Sequence, residues 1–169
     1  MKIAIISDSH NNLVRFKKAV LWIEKNGIKT ILHCGDICSP ETIFEVKKGF
    51  SGKILITLGN ADKGYGWEKY LKPQALKNEN LKIFSDFGEF LVEDCKIAFS
   101  HFPKHAKKLA KTAKYDAVFY GHTHKPWMQK IDSCLLANPG NLCGSLYIAS
   151  FAVFDTVSKK LELKILEKL

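Results

Sequence analysis

The chain has 169 residues, of which 46% are hydrophobic and 25% are charged, and its net charge is +9. This length and balance are ordinary for one soluble globular domain, which we expect to span residues 1–169. No apolar run approaches the roughly 20 residues that a membrane-spanning helix requires, so we do not expect a membrane-spanning protein.

The positive charge comes almost entirely from lysine, because Arg15 is the only arginine. Lysine attracts anions in general, whereas recognition of bases and phosphates favours the bidentate guanidinium of arginine. The charge therefore fits an anionic substrate without specifying a nucleic acid. A surface rich in lysine can equally reflect a hot habitat or genome composition.

The five cysteines contain no C-x-x-C pair, and their odd number does not suit a disulfide framework or a structural zinc site. They are Cys34, Cys38, Cys95, Cys134 and Cys143. We expect most of them to be buried, reduced thiols. The N-terminal apolar run Ile3 to Ile6 ends at Ser7-Asp8 without a cleavage pattern of small residues, so we expect no signal peptide and a cytoplasmic protein.

The chain opens with a predicted strand and helix. The run from Lys2 to Ile6 is continuously apolar, as expected of a parallel strand covered on both faces. Asn11-Asn12 then offers an N-cap, and the following helix is expected to stop at Asn26-Gly27. The residues expected on its buried face are Leu13, Phe16, Val20 and Leu21.

Two further strands follow the same plan. Thr30 to Cys34 is predicted as a strand that leads through Gly35-Asp36 to a helix with Pro40 at its first position. Lys53 to Leu58 is predicted as the third strand. The segment 63–80 is predicted to be a loop with a short helix.

The residue pattern of the second half of the chain is typical of β-hairpins. A basic helix from Pro103 and a buried strand from Ala117 to Tyr120 are predicted between the hairpins. The predicted hairpin strands are Phe87 to Val92 with Ile97 to Phe99, Trp127 to Ile131 with Cys134 to Ala137, and Tyr147 to Phe154 with Lys160 to Leu166. We therefore expect an α/β protein that begins as a parallel sheet and finishes as an antiparallel meander.

Side chains that can bind a metal follow most of the predicted strands. They are Asp8, His10, Asp36, Asn60, His101, His122 and His124. Loops at the carboxyl ends of strands are where open α/β proteins place their chemistry, so we expect these side chains to converge. His33 lies inside a strand and is expected to be an interior histidine, and His105 in a first helical turn is expected to be exposed.

Carboxylate, amide and imidazole ligands without thiolate suit Mn, Fe, Ni, Co or Zn better than Ca or Mg. Seven ligands are too many for one such ion and suit two. A dinuclear site needs a carboxylate between two cations about 3.5–4 Å apart, and Asp36, central among the ligands, is predicted to be that bridge. Two coupled ions lower the pKa of a bound water and clamp the oxygens of an in-line displacement, which is hydrolysis at phosphorus.

Five blocks of the sequence resemble, in order, the signature of the calcineurin-like metallophosphoesterases. They are Asp8-x-His10, Gly35-Asp36, Gly59-Asn60, His101 and Gly121-His122-x-His124. The length and Asn138-Pro139-Gly140 resemble the small YfcE-like phosphodiesterase branch. This resemblance implies an α/β fold of two facing mixed β-sheets flanked by helices, a four-layer αββα sandwich.

The resemblance also implies which residues act. One ion would be bound by Asp8, His10, Asp36 and His124, and the other by Asp36, Asn60, His101 and His122. Asp36, Asn60 and His122 are the residues expected to be catalytic. The implied activity is metal-dependent hydrolysis of a small phosphodiester by metal-bound hydroxide.

Two residues depart from the family pattern. In many phosphomonoesterases of the superfamily, the position of Ala61 is occupied by a histidine that acts on the leaving group. Asp62, the next residue in this chain, is a possible substitute proton donor. Many relatives have glycine where Phe102 follows His101.

Two other functions stay open: a nuclease similar to the DNA-repair members, which usually carry extra capping segments, and a protein-interaction scaffold like the retromer subunit, whose metal site is degraded.

Overall fold

The structure, a computed structural model, describes residues 1–71 and 80–169. Over these two ranges the chain forms three α-helices, α1 (Leu13–Lys25), α2 (Pro40–Lys47) and α3 (Pro103–Ala110). The strands are β1 (Lys2–Ile6), β2 (Thr30–His33), β3 (Lys53–Thr57), β4 (Leu81–Phe84), β5 (Phe87–Val92), β6 (Cys95–Ser100), β7 (Ala117–Phe119), β8 (Trp127–Ile131), β9 (Cys134–Asn138), β10 (Ser150–Asp155) and β11 (Lys160–Ile165). Short 3-10 helices occupy Trp67–Tyr70 and Leu166–Lys168.

The strands divide between two mixed sheets. In the first sheet the order is β11-β10-β1-β2-β3-β4, and β1 to β4 are parallel while β10 runs antiparallel to β1. In the second sheet the order is β5-β6-β7-β9-β8, and β6, β7 and β9 are parallel between two antiparallel edge strands. The carboxyl ends of the central strands of each sheet therefore share one edge of that sheet.

Three layers of apolar side chains hold the sheets and helices together. The layer between the sheets contains Ile3 and Ile5 of β1, while Ala4 and Ile6 of the same strand face the layer beneath α1 and α2. A third layer lies between α3 and the second sheet. Side chains of a strand alternate between its two faces, so a strand covered on both sides must be apolar throughout, as β1 is.

Most of the predicted elements form, but the second half is not the predicted antiparallel meander, because β6, β7 and β9 are parallel. Leu21 does not lie on the buried face of α1, because it is 68% exposed while Ala19 and Ile23 are buried instead. The last hairpin begins at Ser150, so the predicted strand from Tyr147 starts too early. The short helix predicted within 63–80 is the 3-10 helix Trp67–Tyr70, and residues 72–79 lie outside the described ranges.

Among the described residues, none of the helices has both the length and the apolar character needed to cross a bilayer.

Candidate metal centre

The carboxyl ends of five strands bring the predicted ligands into one cluster. Each loop contributes one or two side chains: Asp8 and His10 after β1, Asp36 after β2, Asn60 after β3, His101 after β6, and His122 and His124 after β7. Parallel strands place their carboxyl ends together, which is why residues so distant in the sequence meet. The two sheets thus contribute to one site from both sides.

One half of the cluster lies around His10. Its Nε2 atom is 3.3 Å from Nε2 of His124 and 3.8 Å from Oδ2 of Asp36. Nε2 of His124 is in turn 3.3 Å from Oδ1 of Asp8. Ligand atoms bound at about 2.0–2.2 Å to one ion lie roughly 3–3.5 Å apart, so these nitrogen and oxygen atoms have the spacing of a shared ion.

The other half lies around His101. Its Nε2 atom is 3.0 Å from Oδ1 of Asn60, 3.2 Å from Nδ1 of His122 and 3.4 Å from Oδ2 of Asp36. Nδ1 of His122 and Oδ1 of Asn60 are 2.9 Å apart. His101 is fully buried, whereas Asn60 and His122 are exposed. The second half therefore opens to solvent through Asn60 and His122.

Asp36 belongs to both halves. Its Oδ2 atom approaches His10 on one side and His101 on the other, and its Oδ1 atom accepts a hydrogen bond of 2.8 Å from the Ala61 backbone N–H. Burial opposes ionisation of this carboxyl, but the hydrogen bond and positive charge of His101 outweigh it, so the pKa of Asp36 lies below its usual value. A buried carboxylate kept ionised is the group that can lie between two cations.

The same contacts act on the imidazoles. The hydrogen bond that protonated His124 donates to the Asp8 carboxylate raises the pKa of His124, while burial acts in the opposite direction. Burial also opposes protonation of His101, but its hydrogen bond to Asp36 and the charges of Asp36 and Asp8 raise its pKa overall. Protons and metal ions compete for these nitrogen atoms, and a divalent ion would replace the protons that the carboxylates attract.

The outer ring nitrogens of two histidines have hydrogen-bonding partners. Nδ1 of His101 lies 2.9 Å from the Cys34 carbonyl oxygen, so it carries the proton and leaves the Nε2 lone pair facing the cluster. Nδ1 of His124 lies 3.2 Å from Oγ and 3.4 Å from the carbonyl oxygen of Ser145. Metal-binding histidines almost always have such partners. The residues present therefore fit divalent transition ions.

The backbone conformation of most candidate ligands directs their side chains toward the cluster. Five of the seven candidate ligands have positive φ: Asp8 (52°), His10 (42°), Asp36 (58°), His122 (69°) and His124 (59°). For residues other than glycine this conformation costs free energy and persists only where surrounding contacts impose it, which happens most often at functional sites.

Gly121 contributes by being small. Its backbone does not require glycine, but a methyl group there would overlap the Ser7 hydroxyl and lie 2.7 Å from Oδ2 of Asp8. The loop after β7 can therefore approach the loop after β1, and the backbone N–H of His122 donates to both Asp8 oxygens at 3.1 Å. Close approach of the two loops, and not backbone conformation, is what excludes a larger residue at position 121.

Asp62 has a structural role that the sequence did not indicate. It is 1% exposed, and its carboxylate accepts backbone hydrogen bonds of 2.6–3.0 Å. The donors are Asp36, Ile37, Cys38 and Gly59. Asp62 thus joins the loops after β2 and β3 and holds Asp36 in place. The suggestion that it could donate a proton to a leaving group is wrong, because its oxygens face the backbone.

His33 has the interior role expected of it. It is fully buried, its Nδ1 atom accepts a hydrogen bond of 3.2 Å from the Gly35 backbone N–H, and its Nε2–H group therefore donates to Oγ of Ser9 at 3.1 Å. His105 is only partly exposed, because its ring packs against Phe87 at 5.4 Å between centroids.

The comparison with known families agrees with this fold and cluster. Residues 1–159 match the calcineurin-like phosphoesterase superfamily domain. The chain belongs to the calcineurin-like phosphoesterase superfamily, as its motifs predicted, and the prediction of a metallophosphoesterase is confirmed at the level of the family.

Individual relatives cover nearly the whole chain. A phosphodiesterase of Methanocaldococcus jannaschii is 33% identical over 171 residues, covering 99% of this chain and 100% of the relative. The solved structure of an archaeal phosphodiesterase has a TM-score of 0.85 and 32% identity, covering 98% of this chain and 99% of that chain. The phosphoesterase YfcE of E. coli has the same fold, with a TM-score of 0.64 and 17% identity over 98% of this chain and 100% of that chain. The predicted four-layer sandwich is confirmed.

Proposed function

We propose that the protein is a phosphodiesterase that holds two divalent transition-metal ions between its sheets and hydrolyses a small phosphodiester. The observation that carries this proposal is the position of Asp36, whose carboxylate is part of two separate groups of candidate ligands. One group contains Asp8 and His10, and the other contains His101 and His122. A carboxylate shared in this way is what two neighbouring cations need to offset their repulsion.

The ligands divide between the two ions according to these distances. Asp8, His10 and His124 join Asp36 in one set, and Asn60, His101 and His122 join it in the other. Both sets consist of oxygen and nitrogen atoms, which suit Mn, Fe, Co, Ni or Zn. When bound, such a pair of ions activates a water molecule as the nucleophile and stabilises charge on the phosphoryl oxygens.

The protein's own groups orient the substrate. Asn60 turns Oδ1 toward the imidazoles of His101 and His122, which leaves its amide NH₂ group able to donate to a phosphoryl oxygen. If Nδ1 of His122 binds an ion, its proton lies on Nε2, from which it can also donate to the substrate. These two exposed side chains with Asp36 beneath them form the proposed catalytic group.

The proposal also concerns the substrate class. The M. jannaschii relative is a phosphodiesterase, and the net charge of +9 favours an anionic ester. A small diester is proposed, and neither nucleic acid nor a membrane is required as a partner.

Metal reconstitution tests this function. Metal-free protein is loaded separately with Mn, Co, Ni and Zn, its metal content is measured by elemental analysis, and hydrolysis of a bis-aryl phosphate is followed before and after a chelator. We expect two ions per chain and loss of activity on chelation. A metal content that never exceeds one ion would contradict the dinuclear centre, and cleavage of oligonucleotides in preference to small diesters would indicate a nuclease instead.

A further inference from the structure

Cys143 lies beside the cluster, although its thiol is not among the seven candidate ligands. The ligand atoms of His10, His124 and Cys143 all lie within 4.8 Å of one another. His10 and His124 are the two imidazoles of the half that also contains Asp8 and Asp36. Three of the five cysteines are buried away from solvent, but Cys143 is partly exposed. Cys38 is also partly exposed and lies 3.6 Å from Nδ1 of His10, so both of these thiols lie beside the half of the cluster that contains His10.

Backbone contacts hold Cys143 at this position. Its N–H group donates to the carbonyl oxygen of Asp8 at 3.0 Å, so it is attached directly to the loop that carries a candidate ligand. Its carbonyl oxygen accepts hydrogen bonds from the Arg15 guanidinium and, at 3.4 Å, from the Asn12 amide. Gly144, at φ +73°, packs so closely on Arg15 that a methyl group there would overlap the guanidinium. The residue is thus tied to α1 and to the end of β1.

Polar groups lie around the thiol of Cys143. Sγ of Cys143 lies 3.2 Å from Oδ1 of Asn141 and 3.0 Å from Oγ of Ser145. As a thiol it donates to Asn141, whose Oδ1 atom also accepts the Gly144 N–H at 2.6 Å. With a metal on Nε2 of His124, Nδ1–H of that ring donates to Oγ of Ser145, at 3.2 Å, and the serine hydroxyl is then free to donate to a thiolate.

We propose that Cys143 is an additional, thiolate ligand of the ion bound by His10 and His124, and that it makes this half of the centre prefer zinc or cobalt to manganese. This inference rests on the proposed metal centre. Thiolates are soft ligands that favour zinc-like ions, whereas the other half offers only oxygen and nitrogen atoms. On binding, the thiol proton is released to solvent and sulfur donates an electron pair to the metal. The two halves should therefore differ in metal preference.

Cobalt spectroscopy tests this assignment. Reduced, metal-free protein is titrated with Co²⁺, and the thiolate-to-cobalt charge-transfer band in the near ultraviolet is recorded together with bound cobalt. We expect the band in the wild type and its loss in Cys143→Ser. The matched control is Cys38→Ser, because Sγ of Cys38 lies 3.6 Å from Nδ1 of His10, the ring nitrogen opposite the proposed ligand atom. The band should persist in that variant.

A competition titration provides the second measurement. Outer-shell partners of metal ligands account for about 10–100-fold in metal affinity, so loss of a direct ligand should lower the affinity for zinc by at least about tenfold. Manganese affinity should change little in Cys143→Ser, and its circular dichroism should match that of the wild type.

The outcomes separate this inference from the proposed function. Two bound cobalt ions without a charge-transfer band, or a band that survives in Cys143→Ser, would overturn the role of Cys143 and leave the dinuclear centre intact. A band lost only in Cys38→Ser would likewise overturn it. Failure of the wild type to bind any ion would instead overturn the proposed centre on which the inference rests.

Discussion

Asp36 is the side chain on which both halves of the proposed centre depend. Asp36→Asn keeps its shape but removes the charge that offsets repulsion between two cations. His10→Ala removes a ligand of one ion and should cost at least about 10–100-fold in activity, the range found for outer-shell partners. Asp36→Asn should lower the activity more than His10→Ala does. Initial rates with metal-saturated enzyme measure the difference, with Asp94→Asn, at an exposed β5–β6 turn residue, as the control. Equal residual rates in the two site variants would contradict Asp36 as the bridge.

Ala61 limits the choice of leaving group. Its side chain cannot donate a proton, and its backbone N–H is already bonded to Asp36. General-acid assistance is worth about 10²–10⁴-fold when a poor leaving group departs. An aryl oxide leaves without it. We expect aryl diesters to be hydrolysed and simple alkyl monoesters to be barely hydrolysed.

A variant measures the same effect directly. Ala61→His should raise alkyl monoester hydrolysis more than aryl diester hydrolysis, because only the alkoxide needs a proton. Ala61→Leu adds comparable bulk without a donor and should not change the ratio of the two rates. Wild-type enzyme that hydrolyses alkyl monoesters as fast as aryl diesters would mean that another residue supplies the proton.

At the level of strands and loops, the sequence predicts which residues form the site, but it does not predict the backbone geometry of the site. Residues at the ends of β1, β2 and β3 could be grouped because parallel strands place those ends together. The positive φ angles of Asp8 and His122 could not be predicted, because an isolated L-residue disfavours them and only the tertiary contacts impose them. The apolar runs predict that strands exist, but which sheet each joins depends on distant partners. Thus β4 and β5 follow one another in sequence and lie in different sheets.

We expect His33, at the end of β2, to make the folding stability depend on pH. Burial lowers the pKa of His33 to about 3, with a smaller contribution from the nearby His101, whereas Asp36 acts in the opposite direction. The unfolded chain has the usual value of about 6.5 and binds the proton first as pH falls. The stability from neutral His33 is therefore fully present above about pH 6.5 and is lost progressively toward pH 3. The loss should reach about 2 kcal/mol at pH 5.

Urea denaturation of metal-free protein at pH 7.5 and pH 5 tests this contribution. His33→Gln should lose less unfolding free energy between the two pH values than the wild type, by about 2 kcal/mol. The slope with pH is the readout, since the variant also alters the bonds to Ser9 and Gly35. His105→Gln, in α3, should keep the wild-type slope. Identical pH dependence in His33→Gln and wild type would contradict the assignment.

For the molecule as a whole, the candidate metal ligands come from both sheets. Ligands from β1, β2 and β3 belong to the first sheet, and ligands from β6 and β7 belong to the second. Between the sheets lies an apolar layer to which both contribute. Ions bound between these loops would therefore stabilise the contact between sheets as well as the site. Such a coupling is expected if residues 1–169 form the proposed single domain and that domain unfolds in one cooperative transition, as smaller single domains do.

Removal of metal should accordingly lower the melting temperature of the entire chain. Ions that bind only the folded state stabilise it by about 2.7 kcal/mol at a free concentration of 100 times Kd. One kcal/mol corresponds to about 2–4 °C for a protein of this length, so a chelator should lower Tm by about 5–10 °C for each ion lost. Calorimetry of the loaded and chelated protein at equal ionic strength should show one transition in each case. Asp36→Asn, which lacks the shared charge, should show a smaller difference. Loaded and chelated wild-type proteins that melt at the same temperature, with two ions bound in the loaded sample, would show that the centre does not stabilise the fold.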